Sequence, residues 1–142
     1  NQLNAGFSPE NVSTWLPVNP NYKAGINVKD QEQNPDSLLN YYKHLIRVRK
    51  SSPALVEGEY AALHPTAKDY FAFLRTSDEQ TVLVVLNYSE KRLDLDFSRT
   101  KQLKNKNLHP IFSSSVRSNL EHPTKDLTIA PFEAFIAEIR ET

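Results

Sequence analysis

The 142-residue sequence has no cysteine, no methionine and only three glycines, and its 17 Lys and Arg are balanced by 17 Asp and Glu. Without cysteine there is no disulfide framework and no thiolate metal site, although both reducing and oxidising compartments stay open. Gly6, Gly25 and Gly58 are too few and too scattered for a glycine-rich phosphate loop, and no serine sits in a GxSxG elbow. Nucleotide binding and acyl transfer therefore lack their signatures. Balanced charge with no run of five like charges disfavours nucleic acid and anionic membranes as partners. The longest apolar run, Val82 to Leu86, falls far short of a membrane span, and no charged-then-apolar signal pattern opens the chain. A soluble protein of undetermined compartment is expected, with any targeting signal upstream. The missing methionine and the start at Asn1-Gln2-Leu3-Asn4 predict a piece cut from a longer polypeptide.

What is present changes character along the chain. Pro9, Pro17, Pro20 and Pro35 punctuate residues 1–36, which show neither a two-residue nor a 3.6-residue apolar period. This stretch reads as an extended, irregular loop, of a length that compact domains keep for function or for packing against another body. From Asp36 the pattern is helical. Asp36 or Ser37 can cap the first amides, and Leu38, Leu39, Tyr42, Leu45, Ile46 and Arg49 share one face of a helix over about residues 37–50. Pro53 disfavours helical geometry at Ser52 and ends it.

After Gly58 the period falls to two. Glu59 to Leu63, Tyr70 to Leu74 and Thr81 to Leu86 read as successive strands, and Tyr70-Phe71-Ala72-Phe73 reads as core alternation. Leu93, Leu95 and Phe97 alternate with Asp94 and Asp96, which puts the carboxylates on the solvent face rather than in a catalytic pair. Asp126 to Ile139 supplies two more strands with Pro131 at their joint. Seven or eight short strands without crossover helices predict a mainly β fold, an antiparallel sandwich with meander or Greek-key connections.

Candidate chemistry is sparse. His44, His64, His109 and His122 are far apart and match no metal-ligand spacing, so no metal site is expected and no cofactor is implied. Asn11-Val12-Ser13 matches a glycosylation acceptor, a pattern too short to use without a known compartment.

Longer strings are more specific. "LNAGFSPENVSTWLPVNPNYKAGINV", residues 3–28, resembles the loop after the eighth barrel strand in the α-amylase superfamily of glycoside hydrolases, α-glucosidase and oligo-1,6-glucosidase branch. "SLLNYYKHLIRVRKSSPAL" resembles the last barrel helix of that branch, with Val48 where leucine is usual. "EGEY", "VVLNYS" and "APFEAFIAEI" resemble successive signatures of its C-terminal β-sandwich, domain C.

The resemblance implies a division into residues 1–57, the end of a (β/α)8 catalytic barrel, and residues 58–142, the sandwich. It implies a parent enzyme that hydrolyses α-1,4 or α-1,6 glucosidic bonds of malto- or isomalto-oligosaccharides with retention, through carboxylates on earlier barrel strands. No residue here inherits a catalytic role, so the chain alone is expected to be inactive and to stabilise the barrel. Barrel loops at the C-terminal ends of strands build such active sites, which makes Phe7, Trp15, Asn19 and Tyr22 candidates for the cleft wall or for bracing its loop. Leu38, Tyr42, Leu45 and Ile46 are candidates for packing between barrel and sandwich. The alternative is a free-standing glucan-binding sandwich using Tyr60, Tyr70 or Tyr88.

Overall fold

The computed structural model describes residues 3–117 and 121–141, which fall into two compact units, one ending at Arg47 and the other beginning at Val48. The lead-in is not the extended loop its lack of periodicity predicts. It is wound into short turns held by asparagine side chains, which carry both donors and acceptors and mimic backbone turns. Leu3–Gly6 is a tight turn through the left-handed region, with φ of 56° at Asn4 and 51° at Ala5. A 3-10 turn follows at Pro20–Ala24, then α1 at Val28–Gln33, capped by the Asn27 side chain on the Asp30 amide at 2.9 Å.

Helix α2 covers Leu38–Lys50. Of the two expected caps, Ser37 is the one used. Its Oγ accepts from the Asn40 amide at 3.2 Å and donates to the Gln31 carbonyl at 2.7 Å. Leu38, Tyr42 and Ile46, spaced four apart, form an exposed apolar stripe, while Leu45 is half-buried. Pro53 does more than stop α2. Its fixed φ suits a first helical position, and it opens a further short helix, α3 (Pro53–Glu57), capped by the Ser52 side chain on the Leu55 amide at 3.2 Å.

Eight strands complete the second unit: β1 Glu59–Leu63, β2 Tyr70–Thr76, β3 Thr81–Asn87, β4 Leu93–Leu95, β5 Lys106–Ser113, β6 His122–Pro123, β7 Leu127–Ile129 and β8 Ala134–Glu141. They form a six-stranded sheet in the order β1-β2-β3-β8-β5-β6 and a two-stranded sheet, β4-β7, antiparallel in every pairing. β1 to β3 are a meander. The chain then leaves for the small sheet and finally returns to lay β8 beside β3, the Greek-key-like sandwich that the sequence predicts. Between the sheets lies one apolar cluster that includes Leu74, Leu83, Val85, Phe97, Leu108, Ile129 and Phe135.

Two local readings are corrected. Tyr70-Phe71-Ala72-Phe73 does alternate, but Ala72 and Leu74 enter the core, whereas Phe71 is exposed and Phe73 half-buried on the other face. The β4 strand also stops before Phe97, because Asp96 Oδ1 accepts from the Ser98 amide at 2.8 Å and turns the chain. Phe97 is nonetheless fully buried, its ring stacked on His64 with centroids 5.0 Å apart.

Polar side chains lock the turns between strands. Buried Asn87 donates to the Lys91 and Ala130 carbonyls at 2.7 and 2.8 Å and accepts from the Ser89 amide at 2.9 Å. It therefore ties the end of β3 to the segment before β8.

Candidate functional site

The turns of the lead-in present a concavity of about 540 Å³ lined by residues from Phe7 to Asn19. Asn4 Nδ2 donates to the carbonyls of Pro9 and Val12, each at 3.0 Å, and so pins the loop five to eight residues downstream. Further on, Asn19 Oδ1 accepts from the Asn21 amide at 3.1 Å and caps the turn that begins at Pro20. Gly25, at φ 90°, closes that turn in the left-handed region open to glycine.

Of the four residues the sequence nominates for the cleft, Phe7, Trp15 and Asn19 line this concavity and Tyr22 does not. Trp15 is 98% exposed and Phe7 also stands in solvent, so neither ring is spent on packing within the described residues. Tyr22 is half-buried. Its carbonyl accepts from Asn27 Nδ2 at 2.7 Å, and the Lys23 ammonium lies 5.6 Å from its ring centre. Tyr22 thus sits among the bracing contacts of the loop.

One lining residue escapes sequence reasoning. The Ser8 hydroxyl oxygen is buried without a hydrogen-bond partner, the single such side-chain atom among the described residues. A buried hydroxyl normally finds a partner, and no spacing rule announces one that does not. The concavity thus combines exposed aromatic faces with an amide and a hydroxyl, which suits a ligand whose rings are apolar on one side and hydroxylated at the rim.

A second concavity, about 420 Å³, lies in the β unit beside Arg117, His122 and Glu133. Its polar groups are engaged with one another. Glu133 accepts from Arg117 Nε at 2.7 Å, Ser113 Oγ at 2.6 Å and the Ala130 amide at 2.7 Å, while Arg117 also donates to the Thr128 carbonyl at 2.8 Å. Burial works to raise the Glu133 pKa, but the hydrogen bonds from Arg117, Ser113 and Ala130, with the guanidinium charge, hold it below its ordinary value. The carboxylate of Glu133 is therefore an ionised anchor for the turn into β8.

Asp94 and Asp96 behave as their alternation predicts: both face solvent. Asp94 accepts from Thr128 Oγ1 at 2.8 Å, and hydrogen bonds from Ser98 lower the Asp96 pKa. Among the described residues, no group of three His, Asp or Glu side chains is placed to hold a metal ion, and no helix is long and apolar enough to cross a membrane.

Comparison with known proteins matches two stretches of the chain to two family models. Residues 1–58 match the family described as alpha amylase, catalytic domain, and residues 60–136 match maltogenic amylase, C-terminal domain. Oligo-1,6-glucosidase of Bacillus cereus is 32% identical across 98% of the chain. The same-named enzyme of Parageobacillus thermoglucosidasius is 34% identical across 96%, and glucan 1,6-alpha-glucosidase of Streptococcus dysgalactiae subsp. equisimilis is 48% identical across 61%. Solved structures with the same fold include a trehalulose synthase mutant in complex with Tris, at TM-score 0.78 and 28% identity, and isomaltulose synthase from Klebsiella sp. LX3, at 0.76 and 30%. Each is covered over 24% of its length by 99% of this chain. The chain likewise spans about a quarter of the length of the Bacillus cereus and Parageobacillus relatives. With one stretch matching a catalytic domain and the next a C-terminal domain, the chain belongs to the α-amylase family of glycoside hydrolases.

Proposed function

We propose that this chain works as the closing part of a retaining α-glucosidase that cleaves α-1,6 or α-1,4 glucosidic bonds in isomalto- or malto-oligosaccharides. Residues 1–57 complete the catalytic domain and residues 58–142 form its C-terminal sandwich. The lead-in concavity edges the substrate cleft, with Trp15 and Phe7 offering ring faces to a sugar, Asn19 offering an amide, and Tyr22 bracing the loop. Leu38, Tyr42, Leu45 and Ile46 pack between barrel and sandwich in the complete enzyme, and the chain contributes no catalytic carboxylate.

The observation that carries the reading is the nearly complete exposure of Trp15 beside the buried, unpartnered Ser8 hydroxyl, in a segment that matches a catalytic domain. The test replaces the aligned segment of the Bacillus cereus oligo-1,6-glucosidase by these 142 residues and measures hydrolysis of isomaltose. Activity is expected in the chimera and none above a contaminant control in the 142 residues alone. In the chimera, Trp15→Ala is expected to lower kcat/KM about tenfold, the factor given by ~1.4 kcal/mol of lost stacking, with thermal stability unchanged. Unchanged kcat/KM with lowered stability would make Trp15 a brace, and hydrolysis by the chain alone would end the non-catalytic reading.

A further inference from the structure

Outside the lead-in, the concavity beside Arg117, His122 and Glu133 keeps one bonding position open. It sits at the end of the six-stranded sheet where β5 finishes and β8 begins, since Ser113 pairs with Phe135 there. Helix α3 packs on β2 and β3 at the opposite end, where Ser52 Oγ donates to Gln80 Oε1 at 2.5 Å and Arg75 Nε to the Ala54 carbonyl at 3.2 Å. The concavity, about 420 Å³, is lined only by residues between Arg92 and Glu133. Its volume falls among those of small-molecule sites, about 300–1,000 Å³.

Arg117 is its buried cation, with a side chain 13% exposed. Two of the three guanidinium nitrogens are spent, Nε on Glu133 and Nη2 on the Thr128 carbonyl. Among the described residues, Nη1 meets His122 Nε2 at 3.5 Å, longer than the ordinary hydrogen-bond range of about 2.7–3.2 Å. Glu133 cannot turn to serve it, because Oε1 is taken by Arg117 and Ser113 and Oε2 by the Ala130 amide. A guanidinium donates only, and a protonated His122 donates from Nε2 as well, so the two groups together call for one acceptor from outside. A second guanidinium stands at the rim: Arg92 Nη2 lies 3.5 Å from Thr128 Oγ1, so both arginines meet at Thr128. Arg92 has Asp94 at 3.8 Å, with both side chains mostly in solvent. An ion pair that exposed contributes little, which leaves Arg92 free to swing to a ligand. Exposed Val116 and Pro131 add apolar surface beside these donors.

We propose that Arg117, His122 and Arg92 form a binding site for a phosphate group, free or carried on a small organic molecule. One phosphate oxygen bridges Arg117 Nη1 and His122 Nε2, Arg92 closes over a second oxygen, and an organic substituent lies along Val116 and Pro131. Phosphate is favoured over carboxylate because the donors arrive from three separate side chains, not as the single planar fork that a carboxylate matches. A tetrahedral group can take a bond from each. The lead-in concavity has no cation among its lining residues, so this ligand class belongs to the sandwich, and the site stands independently of the glucosidase reading.

Phenyl phosphate is titrated into the full chain at pH 7 and constant ionic strength while the imidazole resonances are followed by NMR, that of His122 being assigned through His122→Asn. Saturable movement of His122 is expected at a Kd of about 1 mM or tighter, with His44 and His64, which do not line the concavity, unmoved. The charges that face His122 are Arg117, Glu133 and Arg92, and its partner on β5, Leu108, is uncharged. A bound anion opposes the two arginines and favours the charged imidazole, so the titration midpoint of His122 rises on binding. Arg92→Ala, at an exposed residue, is expected to weaken binding about tenfold, as loss of a charge-assisted hydrogen bond does. Arg117→Met/Glu133→Leu, which strands no charge, is expected to abolish it, with folding of both variants checked by circular dichroism. Inorganic phosphate separates the two sources: tighter binding of phenyl phosphate identifies a monoester, and equal binding identifies the free ion. No saturable shift of His122, an equal shift with phenol or with chloride, or undiminished binding in Arg92→Ala overturns the proposal.

Discussion

Glu133→Ala is the most demanding test of how the β unit is held. Glu133 is 2% exposed, and its carboxylate takes three hydrogen bonds, from Arg117, Ser113 and the Ala130 amide, all between 2.6 and 2.7 Å. Truncation leaves the Arg117 guanidinium, which lies 4.2 Å over the Phe135 ring, without its counter-charge. Breaking a buried ion pair from one side costs about 3–5 kcal/mol, and a domain of about 100 residues loses about 4–8 °C of Tm per kcal/mol. A fall of about 12 °C or more is expected by circular dichroism at pH 7. Glu133→Leu combined with Arg117→Met should cost less than Glu133→Ala, because no charge is left uncompensated.

Acid provides an independent check on the same residue. The folded-state pKa of Glu133 lies below its ordinary 4.5: burial pushes it up, and the Arg117, Ser113 and Ala130 contacts outweigh burial. A depressed carboxylate pKa means that the unfolded chain binds the proton first, so the stabilisation is complete above pH 4.5 and is lost as pH falls through the folded value. The difference between wild type and Glu133→Gln should narrow over that acid range. A loss under about 1 kcal/mol at pH 7, or a difference that widens in acid, would refute this account of Glu133.

Two more perturbations probe other points. Gly58→Ala forces a Cβ against backbone atoms of Ala54 and Thr76 that cannot swing aside, and a loss of about 1–3 kcal/mol in urea unfolding is expected; a neutral result would mean that α3 yields freely. His122 has its pKa lowered by burial first and by the Arg117 charge second, against the pull of Glu133. Its unfolded form takes the proton first, so it contributes stability that is present above about pH 6.5 and falls below it. His122→Asn should flatten the stability profile just under that pH, and an unchanged slope in urea titrations would exclude His122 as the group responsible.

The parts of this fold that are legible in the sequence are those where one period dominates. α2 announces itself through a cap and an apolar stripe, and β1, β2, β7 and β8 through two-residue alternation. β5 does not, because Pro110 removes a ladder donor and the strand shifts register between Pro110 and Phe112. That bulge spaces the buried Leu108 and Phe112 as a helix would. The phase of β2 is hidden for a different reason. Alternation tells which residues share a face, but Phe71/Phe73 and Ala72/Leu74 are both apolar sets, and the sheet is covered on both sides at β3, where Val82 to Val85 are all buried. At the site, Phe7, Trp15 and Asn19 are reachable through the resemblance of their string. Ser8 is not, because what distinguishes it is the absence of a partner in space.

The boundary between the two stretches is where sequence and physics part. Family resemblance changes at residues 58 to 60, yet the compact unit begins at Val48. Domain boundaries usually fall in exposed linkers crossed by few contacts; within residues 48–58, by contrast, Val48, Ser52, Ala54, Leu55 and Gly58 are buried. Arg49 donates from its guanidinium to the Leu55 carbonyl and so ties the end of α2 to α3. A chain cut before Glu59 would uncover Val82 and Val84, and at about 1.5–3 kcal/mol for each large side chain returned to water the two valines alone cost about 3–6 kcal/mol. Native domains hold only about 5–15 kcal/mol in all. Residues 48–142 should therefore unfold cooperatively, and residues 59–142 should melt far lower or aggregate through the bared sheet face. Equal midpoints for the two truncations in a calorimeter would show that the segment is a dispensable linker and would refute its place in the folded unit.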